Sequence, residues 1–125
     1  MDGLDQSERD EYITKYLQDM AARNSAPTTY NEFASKHGFP SVTNENWTGH
    51  PMQVLFVRLD ASDIAMARPL LTSLIVHKSY PDKKIPGHGY FKSLEKRLGK
   101  ERLQGKAKVS IYHDELQRLY AYYKG

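Results

Sequence analysis

Two prolines, Pro69 and Pro81, bracket the most apolar stretch of the chain, and what lies between them limits the folds open to it. Leu70 to His77 reads LLTSLIVH, a short run rich in branched side chains, which favours a strand over a helix. In an extended chain Leu70, Leu74 and Val76 share one face with Thr72, while Leu71 and Ile75 share the other with Ser73 and His77. Apolar groups on both faces predict a strand covered on both sides. Pro69 holds Arg68 extended, and Pro86, Gly87 and Gly89 keep any return strand short.

The flanking segments carry helical periodicity. Helix is predicted from about Ser7, as N-cap, to Arg23, with Tyr12, Ile13, Tyr16, Leu17 and Met20 as its apolar stripe. Thr29 and Glu32 form a capping box for a short helix over 30–37, closed by Gly38 and Phe39, and Ala26 to Thr28 can supply a short strand before it. A third helix starts near Pro51 with Met52, Leu55, Phe56 and Leu59 inward, and Ser62 is read as the cap of a separate short turn. A fourth runs from about Gly89 to Leu98, with Phe91, Leu94 and Leu98 inward, Lys92, Lys96 and Arg97 outward, and Gly99 as its stop. Ser110 is read as the cap of a last helix whose stripe is Leu116, Leu119, Tyr120 and Tyr123. The lone tryptophan, Trp47, sits in a polar loop and is read as an anchor to the core.

Composition narrows the function classes. A chain of 125 residues is one domain by size and can bury a real core. With no cysteine, disulfides and thiolate chemistry are excluded. The acidic N-terminal MDGLDQSERDEY lacks the apolar core of a secretory signal, and no run approaches the ~20 apolar residues of a membrane helix, so a soluble, cytoplasmic protein is expected. The net charge of +3 hides an asymmetry: between Lys78 and Lys108 the balance is +7, and over the rest of the chain it is −4. Such asymmetry concerns partners rather than fold.

Enzyme motifs are missing. His37, His50, His77, His88 and His113 are scattered, with no helical pair at metal-binding spacing, and neither a Gly-x-Ser-x-Gly elbow nor a phosphate-binding Gly-x-x-x-x-Gly-Lys loop occurs. No cofactor and no metal are expected. The Pro86-Gly87-His88-Gly89 loop precedes a helix N-terminus, where backbone amides favour anions. Arg68, His77, Gly87, His88 and Gly89 are therefore candidate anion-binding residues, against the alternative of a tight turn whose glycines need positive φ.

The element order, helix, short strand, two helices, strand and basic loop, is that of a winged helix-turn-helix. Lys78, Lys83 and Lys84 would be wing contacts to phosphate, with Lys92, Lys96 and Arg97 nearby, leaving Asn44, Asn46, Gln53 and Arg58 for base contact. The leading expectation is a non-enzymatic module that recognises the backbone and shape of double-stranded DNA through a basic loop and helix. The alternatives are a protein-interaction module with an acidic partner and an anion- or nucleotide-binding protein centred on the Pro-Gly-His-Gly loop.

Two resemblances bear on this. Thr28 to Pro40, TTYNEFASKHGFP, resembles the start of the winged-helix domain of alkyltransferase-like DNA repair proteins, though Arg68-Pro69-Leu70-Leu71 stands where that family carries its active motif, so alkyl transfer is not implied. More of the chain is similar to small bacterial domains of unassigned function. Tyr30-Asn31-Glu32-Phe33-Ala34, the run from Arg68 to Lys78, Pro86-Gly87-His88-Gly89-Tyr90-Phe91 and Arg118-Leu119-Tyr120-Ala121-Tyr122-Tyr123 carry that pattern. The resemblance implies one domain and no activity. The expected fold is α+β, mostly helical and winged-helix-like, with about five helices around a small two- or three-stranded sheet, over 1–125 with a flexible segment at 1–6.

Overall fold

A computed structural model describes residues 5–43, 45–78 and 84–124. The order is α1 (Gln6–Ala22), β1 (Thr28–Thr29), α2 (Tyr30–His37), α3 (Pro51–Ala65), a 3-10 turn (Leu71–Leu74), β2 (Ile75–Val76), α4 (His88–Leu98), α5 (Lys100–Leu103) and α6 (Lys108–Tyr123). The fold is thus mostly helical, with six α-helices among the described residues rather than the five expected. Among the described residues the small sheet is two-stranded and parallel, with Thr28 opposite Ile75 and Thr29 opposite Val76.

The strand expected over Leu70–His77 is corrected in its first half, which is the 3-10 turn. Buried side chains claim the polar groups that a sheet ladder would have used. The Leu70 amide donates to the Glu115 carboxylate at 2.9 Å, and the Leu71 amide donates to Asp63 at 3.0 Å. The Thr72 hydroxyl donates to Asp60 at 2.7 Å, the Ser73 hydroxyl bonds that of Tyr90, and Tyr112 donates to the Ser73 carbonyl at 2.8 Å. A buried polar group without a partner costs about 1–3 kcal/mol, so these side chains stabilise a turn where extended backbone would have left them unmatched. Glu115 also takes Arg97 at 2.6 and 2.9 Å and Arg118 at 2.9 Å, which ties α4 and α6 to the turn.

Local signals set most helix limits. The capping box is formed, with the Glu32 amide donating to the Thr29 hydroxyl at 3.2 Å. Gly38 sits at φ +74 and the Phe39 amide reaches back to the Ala34 carbonyl at 2.8 Å. At α1 the cap is Asp5, not Ser7: its carboxylate accepts from the Glu8 amide at 2.8 Å. His50 caps α3 through Nδ1, which accepts from the Met52 amide at 3.0 Å. That helix continues to Ala65, so Ser62 lies within it and caps no separate turn. α6 begins at Lys108 without a side-chain cap, placing Ser110 inside the helix and bringing Ile111 and Tyr112 into the core. Met52, Leu55, Phe56 and Leu59 are buried as their spacing requires, and they join residues of α1, α2, α4, α6 and the 3-10 turn in one hydrophobic cluster.

Candidate functional site

A cleft of about 740 Å³ lies between the start of α2, the side of α3, the end of β2 and the start of α4. Its volume falls in the range of small-molecule sites, ~300–1,000 Å³. One part is aromatic. Tyr30 meets Trp47 edge to face at 5.3 Å between ring centroids, and Phe56 lies 6.1 Å from Tyr30 and 6.0 Å from Trp47. Trp47 is half-buried, so it both anchors its loop and lines the cleft. The opposite part is basic, with Lys78 and Lys92 exposed beside His77 and His88.

The loop before α4 is tied to this site by main-chain bonds. The His77 amide donates to the Ile85 carbonyl at 2.9 Å, and the Lys84 amide donates to the His77 carbonyl at 2.7 Å. The Gly87 amide donates to the Tyr30 hydroxyl at 2.8 Å. Neither glycine of the Pro-Gly-His-Gly loop uses positive φ, which corrects the turn alternative: Gly87 has φ −80, and Gly89 is already in α4. Close approach, not positive φ, is what favours glycine at position 87. A Cβ there would stand 3.1 Å from Nε2 of His77 and 3.3 Å from the Tyr30 hydroxyl. Among the described residues no side chain caps the first amides of α4.

Asp60, on α3, lines the inner wall and is 5% exposed. Burial raises its pKa to about 6, against the hydrogen bonds from Ser93 and Thr72 that favour the charged form. A carboxyl that titrates near neutrality in a cleft is a physical marker of a functional group.

The sequence-derived candidates divide. Lys78, His77, Gly87, His88, Gly89, Lys92 and Gln53 line the cleft together. Lys84 is exposed at φ +67 beside His77, and Lys96 is exposed one turn beyond Lys92. Arg97 does not point outward: its guanidinium is ion-paired with Glu115 and its side chain is 12% exposed. Arg68 is not in the cleft, because Asp63 and Ser62 hold it. Arg58 forks onto Asp10 at 2.6 and 2.9 Å, at a smaller hollow lined with Arg9 and Phe39. Asn46 accepts from the Thr43 amide and donates to the Ser41 carbonyl, and Gln53 accepts from the Gly49 amide, so both brace the loop before α3. The face that α3 leaves outward carries exposed Val54 and Val57. Asn44, Lys83 and the segment 1–4 lie outside the described residues.

Sequence reasoning missed Asp60, Tyr30 and Thr72 as cleft residues. A signal for Asp60 was present: Met52, Phe56 and Asp60 are spaced by four on the buried face of α3. Among the described residues no group of three His, Asp or Glu side chains could hold a metal ion, and no helix is long and apolar enough to cross a membrane. Compared with protein-family models, curated proteins and solved structures, the chain matches none.

Proposed function

We propose that the protein binds a small phosphate-bearing ligand in the cleft, centred on the Pro86–Gly89 loop. The observation that carries this reading is that Lys78, Lys92, His77 and His88 line one concave site together with the start of α4, whose first amides no side chain among the described residues caps. Helix N-terminal amides and the helix dipole favour negative charge there, and two ammonium groups on the rim add long-range attraction. Trp47 is the chain's single tryptophan and a built-in reporter of occupancy. Titration of its fluorescence with sodium pyrophosphate should give a saturable change that weakens at least tenfold in Lys78→Ala/Lys92→Ala. No saturable change at millimolar pyrophosphate, by fluorescence and by calorimetry, refutes the reading.

Duplex DNA binding by a winged-helix arrangement is the second reading. It is favoured by the exposure of Lys78, Lys84, Lys92 and Lys96 on and after a loop closed by the His77 bonds. Against it, Arg58, Asn46 and Gln53 are engaged within the fold. Anisotropy of a labelled generic duplex at low salt distinguishes the two. Salt-sensitive binding that Lys78→Ala/Lys84→Ala weakens supports DNA, whereas binding to an acidic protein alone points to a protein partner.

A further inference from the structure

The geometry points to a nucleoside phosphate as the occupant of the cleft, with a base that presents adjacent N–H donors, as guanine does, to the Asp60 carboxylate. This rests on reading the cleft as an anion site and assigns what fills its other end. A phosphate at the start of α4 occupies a small part of about 740 Å³. The remaining wall offers the aromatic group of Tyr30, Trp47 and Phe56, and a flat heterocycle stacks well on such side chains whatever its hydrogen-bonding pattern.

Asp60 supplies the pattern. Three carboxylates are buried around the 3-10 turn: Asp60, Asp63 and Glu115. Asp63 is paired with Arg68, and Glu115 with Arg97 and Arg118. Among the described residues Asp60 alone of the three has hydroxyl partners, Thr72 and Ser93, in place of an arginine. It is also the one of the three that lines the cleft. Two hydroxyls take about half the acceptor capacity of a carboxylate, which has roughly four lone-pair sites. An ionised carboxylate accepts and cannot donate, so it rejects a ring edge that turns an acceptor toward it. Adenine places an acceptor nitrogen beside its amino group, and uracil flanks its one N–H with two carbonyls. Guanine has a ring N–H next to an amino group, which matches both oxygens at once. A site built around buried hydrogen-bonding groups discriminates strongly against partners that leave them unmatched.

Calorimetric titration of the full chain with GMP, AMP and ribose 5-phosphate tests this, with Trp47 fluorescence alongside. The wild type should bind GMP at least tenfold more tightly than AMP, with ribose 5-phosphate weaker than GMP. Asp60→Asn keeps an oxygen for Thr72 and removes the charge, and its fold is checked by circular dichroism. It should lose the preference for GMP while binding ribose 5-phosphate within twofold of wild type. Equal affinity for GMP and AMP in the wild type overturns the inference, and with ribose 5-phosphate still bound the anion site stands. If none of the three binds, both fall. The wild-type comparison decides the matter even if the variant does not fold.

Discussion

Two buried groups place opposite demands on pH, and replacing one of them should expose the other. His37 is 3% exposed, with the rings of Phe33 and Tyr16 at 4.4 and 4.7 Å and its Nε2 without a hydrogen-bond partner among the described residues. Burial first, then the charges of Lys36 and Arg9, lower its pKa from 6.5 to about 4. Between those values the unfolded chain binds the extra proton, so this group makes stability rise with pH and fall on acidification. Asp60 is the reverse: burial raises its pKa from 3.8 to about 6, the folded state holds the extra proton in that window, and stability falls as pH rises. Each tenfold change in proton affinity is worth about 1.4 kcal/mol, so each group is worth up to about 3 kcal/mol. In the wild type these two contributions oppose each other. Burial raises the pKa of Asp63 as well, so a falling component remains; Asp60→Asn removes only the part due to Asp60 while preserving shape and the Thr72 contact. Urea unfolding followed by circular dichroism at intervals from pH 4 to 7.5 gives the difference between variant and wild type, in which shared groups cancel. The variant should be little changed near pH 4 and more stable by about 2–3 kcal/mol at pH 7. A difference that does not vary with pH, or one that favours the variant less at pH 7 than at pH 4, refutes the assignment of a buried, reluctantly ionised carboxyl.

The two loop glycines should part company: Gly87→Ala pushes a methyl against His77 and Tyr30 and should cost about 1–2 kcal/mol, whereas Gly89→Ala meets nothing within 4 Å in α4 and should add about 0.5–1 kcal/mol, both read from thermal melts. Glu115→Ala strips the partner from Arg97, Arg118 and the Leu70 amide and should cost about 3–5 kcal/mol in urea unfolding, while exposed Glu101→Ala should change stability by less than about 0.5 kcal/mol.

Features that act within four or five residues were legible in the sequence. The Thr29–Glu32 box, the Gly38–Phe39 stop, the proline at the start of α3 and the glycine after α4 all fell where local stereochemistry puts them. The cleft's basic half was legible for the same reason, since His77, Lys78 and the Pro86–Gly89 loop are close in sequence and the loop closes on itself. Its aromatic half was not. Tyr30 read as a residue of a short capped helix, and only the fold brings its hydroxyl to the Gly87 amide, 57 positions away.

The misread strand has the same origin, and it bears on the site. A short apolar run such as Leu70–His77, with apolar groups on both faces, does not distinguish a buried strand from a turn whose amides and hydroxyls are met by side chains elsewhere. Here those side chains come from α3, at Asp60 and Asp63, and from α6, at Glu115, 45 residues from the Leu70 amide it accepts. A carboxylate in a helical sequence reads as a solvated face, and so do the arginines that neutralise two of the three, although Arg68 and Arg118 are only five and three residues from their partners. The turn shifts the chain from Leu71 to Leu74 out of extended register, and in doing so sets the Thr72 hydroxyl on Asp60 at the cleft wall. Had Leu70–His77 been extended, its amides would have faced a neighbouring strand and the carboxylates of α3 would have needed other partners. The same non-local polar contacts that hid the turn from sequence reasoning therefore define the inner wall of the cleft.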